Sequence, residues 1–146
     1  MFALRAATLA DVALVLPRTR ALNDHEGIAV SDADLDAALR HLLGDPSLGG
    51  VWLVESDGAP IGYAIVTFGY DLEFAGRDAW LTELWIDHDA RGSGAGSAAL
   101  AALDLALRAH DVHALHLQVR PDNRAVHVYE RAGFAVVPRT IMTRRL

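Results

Sequence analysis

Residues Arg91 to Ser97 read Arg-Gly-Ser-Gly-Ala-Gly-Ser, between the apolar run Trp80–Ile86 and an alanine- and leucine-rich segment. Glycines at 92, 94 and 96 are costly at the start of a helix, because each adds backbone freedom that folding must remove. Their value lies in close approach. With a strand leading in and a helix leading out, the stretch holds amide hydrogens without intrahelical partners at the positive end of the helix dipole. Such a place binds anions, phosphate above all. With no β-carbon at the three glycines, a pyrophosphate can reach the amides, and Ser93 or Ser97 can add a hydroxyl. An ordinary tight strand-to-helix turn is the alternative. An ATP- or GTP-type P-loop is excluded, since the chain has no lysine, and the dinucleotide pattern fails where Ser97 replaces its third glycine.

Other residues could move protons. Glu83 stands near the start of the strand read from "AWLTELWID", with Asp87 and Glu73 as reserves and His88 as a solvated turn residue. Each acid has a plainer reading as a solvent-facing or arginine-paired carboxylate. Tyr129 shares a helix face with Ala125 and Ala132, which by itself reads as a core aromatic. His110, His113 and His116 are three apart, but residues 113 and 116 fall on opposite faces of a strand and cannot readily share an ion. No metal is expected.

The elements that position these groups follow from the pattern of the chain. Its 146 residues suit one domain, 1–146, and no repeat or linker divides it. "FALR" predicts a first strand, and "TLAD" has the spacing of a helix start, with Pro17 expected to kink or end that helix. "SDADLDAALRHLLG" predicts a second helix capped by Ser31 and striped by Leu35, Leu39 and Leu42. "VWLVESDGAPIGYAIVTFGY" predicts two strands turning at Asp57-Gly58. "DLEFAGRD" reads as a loop and "AWLTELWID" as a strand. A third helix runs from about Gly94 to Arg108, "ALHLQV" is a strand, "RAVHVYERAG" a fourth helix, and "FAVV" and "IMTR" closing strands. The order implies an α/β (α+β) fold, a mixed sheet with helices packed on it.

Composition narrows the partners. A formal charge of −6 argues against a dedicated nucleic-acid binder and suits a cationic partner. No apolar run reaches membrane-spanning length, and the first residues lack a secretory pattern, so a cytoplasmic protein is expected. The absence of cysteine excludes disulfides, thiolate metal sites and a covalent cysteine intermediate.

"LTELWIDHDARGSGAGSAALAAL" resembles motif A of the GNAT superfamily of N-acetyltransferases, whose [Q/R]-x-x-G-x-[G/A] signature falls on Arg91, Gly94 and Gly96. Downstream, "NRAVHVYERAGF" resembles the family's second landmark. The resemblance implies a mostly antiparallel sheet of about six to seven strands with four helices, its fourth and fifth strands splayed around acetyl-CoA, the co-substrate. It implies that Arg91, Gly92, Ser93, Gly94, Ala95, Gly96 and Ser97 cradle the pyrophosphate. The backbone of Leu84, Trp85 and Ile86 would pair with the pantetheine arm, and an amide at a bulge there would polarise the thioester carbonyl. Asn123 would contact CoA, although it stands two rather than three residues before Ala125. Tyr129 would protonate the leaving sulfur, and Glu83 would act as base directly or through a water.

The resemblance implies an acceptor site built from the first helix pair and the loop between strands three and four, which supply Asp24, Glu26, Tyr70, Glu73, Phe74 and Arg77 beside Glu83; Asn23, His25 and Asp71 belong to the same pieces. This set suits a small cationic amine. Acetylation of a protein N-terminus or lysine is the alternative among enzymes, and a non-catalytic acyl-CoA sensor the alternative from another class. Because relatives often dimerise, the resemblance also allows a homodimer.

Overall fold

The computed structural model describes all residues, 1–146. Five strands form one sheet in sequence order: β1 (Phe2–Ala6), β2 (Gly49–Ser56), β3 (Ala59–Asp71), β4 (Gly76–Ile86) and β5 (Val112–His116). Neighbours are antiparallel except β4 and β5, which run parallel. Helices α1 (Val12–Glu26) and α2 (Asp32–Gly44) cover one face, where Val12, Val15, Leu39, Leu53, Tyr63 and Ile65 make one core cluster. On the other face α3 (Ala95–Ala109) buries Leu100, Leu103 and Leu107 against Val66, Ala79 and Leu81, with α4 (Ala125–Arg131) beside it.

Local signals explain most boundaries. Thr8 donates its amide to Asp11 at 2.8 Å, closing the capping interaction ahead of α1. Asp11 also receives both terminal nitrogens of Arg5 (3.0 and 3.1 Å), whose hydrogen bonds hold its carboxyl down at about 2. The Ser31 hydroxyl caps α2 by accepting the amide of Asp34. Asp57 and Gly58 both take positive φ (49° and 83°), the backbone that a two-residue hairpin turn requires.

Four expectations are corrected. Pro17 does not end α1, which runs on to Glu26; the residue lies on the exposed face, as does Ala13, so water can reach the Ala13 carbonyl that the missing proline N–H leaves without a helical donor. Half of "DLEFAGRD" is strand: β3 and β4 stay paired out to Asp71 opposite Gly76, and only a short 3-10 turn, Leu72–Phe74, with Ala75 joins them. "ALHLQV" is strand only as far as His116. "FAVV" and "IMTR" form no strands, so the sheet has five members rather than six or seven. Val136 and Met142 are about nine-tenths exposed, so no apolar face holds these segments, and Pro138 lacks a ladder donor.

What positions the site is the place where β4 and β5 part. Their ladder runs from Arg77 opposite Val112 to Trp80 opposite His116 and stops. Just beyond, β4 carries an extra residue against β3: Val66 pairs with Leu81 but Ile65 with Glu83, leaving Thr82 as a bulge. Bulges bend a strand and increase its twist. From Leu81 to Ile86, β4 is hydrogen-bonded to β3 alone, and its other edge is open.

Candidate active site

The open edge of β4 is one wall of a cleft of about 1430 Å³. The glycine stretch closes one end, and the chain after β5, with α4, forms the opposite wall. Gly92 and Gly94 have φ of 73° and 89°, which favour glycine, and Gly94 is the N-cap of α3. A β-carbon at 92, 94 or 96 would meet no protein atom within 4 Å, and all three glycines line the cleft, so the space beside them is open. The first amides of α3 have no intrahelical acceptors and sit beside that space. Arg91 anchors the approach, with Nε donating to the Ile86 carbonyl at 2.9 Å and its guanidinium lying 4.6 Å over the Trp85 ring.

These features fit CoA: an open cradle of amides for a pyrophosphate at one end, and an unpaired strand edge leading inward from it. Leu84, Trp85, Ile86, Arg91, Gly92, Gly94, Ala95, Gly96, Ser97, Asn123 and Tyr129 all line the cleft. Ser93 does not; its hydroxyl turns back to the Ala90 carbonyl. Asn123 uses its side-chain oxygen to accept the Ala125 amide at 2.9 Å, so it organises the start of α4 as well as facing the cleft.

Two proton-carrying groups face the same cleft. Glu83 lies on the α1 side of the sheet, half-buried, and its only protein partner is the hydroxyl of fully buried Tyr63, which donates to it at 3.3 Å. Burial pushes the Glu83 carboxyl above the usual glutamate range, and the Tyr63 bond partly opposes that shift. Tyr129 packs edge-on against Phe134 at 5.9 Å and touches the α3 core, yet it also borders the cleft. Burial first, and the charge of Glu26 second, raise its phenol above the ordinary value, which keeps the proton on. The core and cleft readings of Tyr129 therefore coexist.

The expected acceptor residues divide. Glu26 lines the cleft 4.0 Å from Arg120, joined by Leu22, Asn23, His25 and Ile28 from the end of α1 and just beyond. Asp24 points away and pairs with Arg20 at 3.2 Å. Tyr70, Glu73, Phe74 and Arg77 sit at the far tip of the β3–β4 hairpin and do not line the cleft. Glu73 binds Arg139 at 2.8 Å, and Arg77 lies over Phe68. The reserve Asp87 is fully engaged by Arg18 and the Trp85 indole. His110, His113 and His116 have separate partners: the Phe68 ring, the Phe74 carbonyl and the Asp78 carboxylate. Tyr63, Gln118, Arg124 and Arg131 were not singled out by sequence; Tyr63 had no signal beyond an alternating apolar strand.

Residues 17–134 match the sequence profile of the acetyltransferase (GNAT) family. The chain belongs to the GNAT family of acetyltransferases. It is an acyltransferase, and acetyl-CoA is the acyl donor. An integron cassette protein from the mobile metagenome of Cole Harbour Salt Marsh is similar at 28% identity and a TM-score of 0.87, over 98% of this chain and 90% of that one. A ribosomal-protein-alanine N-acetyltransferase from Brucella melitensis biovar Abortus 2308 shares the fold at 19% identity and a TM-score of 0.79, covering 100% of this GNAT chain and 99% of its own. An aminoglycoside N-acetyltransferase in complex with CoA does so at 16% identity and 0.83, over 99% and 95%. Comparison with curated proteins finds no match.

Proposed function

We propose that this GNAT enzyme moves the acetyl group from acetyl-CoA directly to the primary amine of a small cationic molecule, both substrates being bound together. The observation that carries the reading is Glu83, a desolvated carboxylate with one phenol partner, facing the cleft that Tyr129 also borders.

An alkyl ammonium with a pKa of about 10.4 is neutral in only about one molecule in 10³ at pH 7. A positioned base typically contributes 10²–10⁴, which is the size of that deficit. Glu83 takes the ammonium proton, directly or through a water, and its raised pKa brings it nearer the operating pH. The freed nitrogen forms a bond to the thioester carbonyl carbon, an amide at the Thr82 bulge polarises that carbonyl, and the carbon–sulfur bond breaks as the nitrogen, cationic after the attack, gives its second proton to water. Tyr129 gives its proton to the departing sulfur and regains one from solvent. Glu26 and Glu83 place two carboxylates on the acceptor side, which supports a cationic acceptor. The acids at the hairpin tip no longer contribute to that argument.

Calorimetry with acetyl-CoA, followed by thiol release against a panel of amines, tests the proposal. Turnover is expected on small cationic amines, with activity falling as pH drops through a Glu83 pKa above the usual range. Glu83→Gln should bind acetyl-CoA normally, lower turnover by about 10²–10⁴ and abolish that acid limb. Turnover on peptides alone would replace the small acceptor with a protein one. Binding with no turnover on either would make the protein a sensor.

A further inference from the structure

Four polar or charged residues are buried: Asp11, Thr19, Asn23 and Asp78. Three of them have side-chain partners. Arg5 and Thr8 meet Asp11, the Thr19 hydroxyl donates to the Leu16 carbonyl at 2.8 Å, and His116 meets Asp78. The carboxamide of Asn23, a residue only 4% exposed, hydrogen-bonds to nothing in the chain. It does not end its helix either, because the backbone amides of Gly27 and Ile28 do so on the main-chain carbonyls of Asn23 and Asp24. A buried amide without a partner costs folding free energy, so its presence calls for a physical reason. The amide is not sealed in the core. Arg20 Nε is the one side-chain polar atom both sealed and unpartnered, so the remaining access of Asn23 is to the cleft that it lines.

Asn23 stands three residues before Glu26, so the two share a face of α1, with Asn23 the deeper. Glu83 lies on the side of β4 that this helix covers. The end of α1 meets β4 there: the His25 ring lies edge-on to Trp85, two residues beyond Glu83 on the same face, with centroids 6.4 Å apart. Leu22 and Ile28 add apolar surface to that wall of the cleft. An ammonium drawn to Glu83 thus enters a wall that also offers a neutral amide, able both to donate and to accept. A carboxylate on the same acceptor would meet Glu26 and Glu83, and a second ammonium is answered better by Glu26 than by an uncharged group. We propose that Asn23 selects acceptors carrying a neutral hydroxyl or carboxamide two or three bonds from the reacting amine, to which its own amide hydrogen-bonds. This selection rests on the cleft being the site of amine acetylation, and it names the acceptor class within that reading. A plain alkylamine would leave the buried amide unpaired, and a site built to bond a polar group rejects the analogue that lacks it.

The test measures thiol release from acetyl-CoA with ethanolamine, glycinamide and propylamine, which are close in size and differ in the group at the far end. Per concentration of free amine, wild type should show kcat/KM about 10-fold or more higher for ethanolamine or glycinamide than for propylamine. Whichever of the two leads tells a hydroxyl from a carboxamide. Asn23→Leu replaces the amide with an apolar group of similar shape. It should bring the ratio to about 1 and melt no lower than wild type, because an unpaired buried amide is removed and no hydrogen bond is lost. Should the leucine variant fail to fold, Asn23→Ala, which leaves room instead of filling it, should abolish the preference likewise. A variant that melts lower with the ratio unchanged would make Asn23 structural and overturn the proposal. So would a wild type that acetylates propylamine equally well, or one acting only on amines without such a group, putrescine for example; amine acetylation itself would stand in both cases. Loss of acetyl-CoA binding by the variant in calorimetry would assign Asn23 to the cofactor and also overturn it. Binding of acetyl-CoA by wild type with no turnover on any amine would remove the acetylation reading, and this selection with it.

Discussion

The two halves of β4 share one hydrogen-bonded partner, β3, and differ only at the other edge. From Arg77 to Trp80 the strand lies between β3 and β5; from Leu81 to Ile86 it has β3 alone. In the closed half Asp78 is nearly buried, and its carboxylate is met by His116 Nε2 at 3.1 Å, with the His116 ring packed against Phe74 and Trp80. In the open half Glu83 is half-buried, a phenol at 3.3 Å is its partner, and the residue lines the cleft. Two carboxylates on one strand thus have opposite fates. Where the sheet continues, the acid is buried against an imidazole inside it; where it stops, the acid borders the cleft.

The largest expected effect breaks the open half at its anion end. Gly94→Asp would strain a backbone at φ 89° and place a carboxylate in the phosphate cradle, so CoA affinity should fall below detection by calorimetry while the chain still melts cooperatively. Gly94→Ala, which adds strain without charge, should lie between this variant and wild type. Retained CoA binding by Gly94→Asp would reduce the stretch to an ordinary turn.

Tyr129→Phe comes next. Stopped thiol-release assays should show turnover reduced by about 10²–10⁴, the usual scale for a lost acid, with acetyl-CoA affinity kept. Unchanged turnover would return Tyr129 to the α3 core alone.

Tyr63→Phe sharpens the contrast between the two acids. Its hydroxyl donates to the charged form of Glu83, so removing it should raise the Glu83 pKa further. The acid limb of kcat/KM should therefore move to higher pH, with less active base at neutral pH. A purely structural role for Tyr63 would lower stability and leave the limb in place. The smallest effect on chemistry belongs to the closed half: Asp78→Ala should cost about 1–3 kcal/mol in chemical denaturation, the usual cost of orphaning a buried partner. CoA affinity should be unaffected.

How much of this was legible depended on the range of the interactions. The Ser31 cap, the Asp57-Gly58 turn and the leucine stripe of α3 are readable because partners lie within a few residues along the chain. The glycine-rich turn into α3 was legible for the same reason, since strand, glycines and helix start are contiguous. The hairpin tip misled because acids and aromatics in "DLEFAGRD" look like a binding loop, whereas cross-strand pairing of β3 with β4 continues almost to the turn. Asn23 looked like any polar residue near a helix end until its burial and its unpartnered amide set it apart.

The sequence alone determined the order of elements from β1 to α4, the glycine-rich turn at Gly92–Ser97 and the family landmarks, because each depends on neighbours in the chain. Only the tertiary structure decided where the sheet parts and which way Glu83 points. Counted back from the β3–β4 turn without the Thr82 bulge, Glu83 would oppose Ala64 and face the α3 core. One extra residue in β4 moves it opposite Ile65, onto the α1 face beside Tyr63. In a strand each one-residue shift exchanges the two faces, and nothing local in "WLTELWI" records that shift.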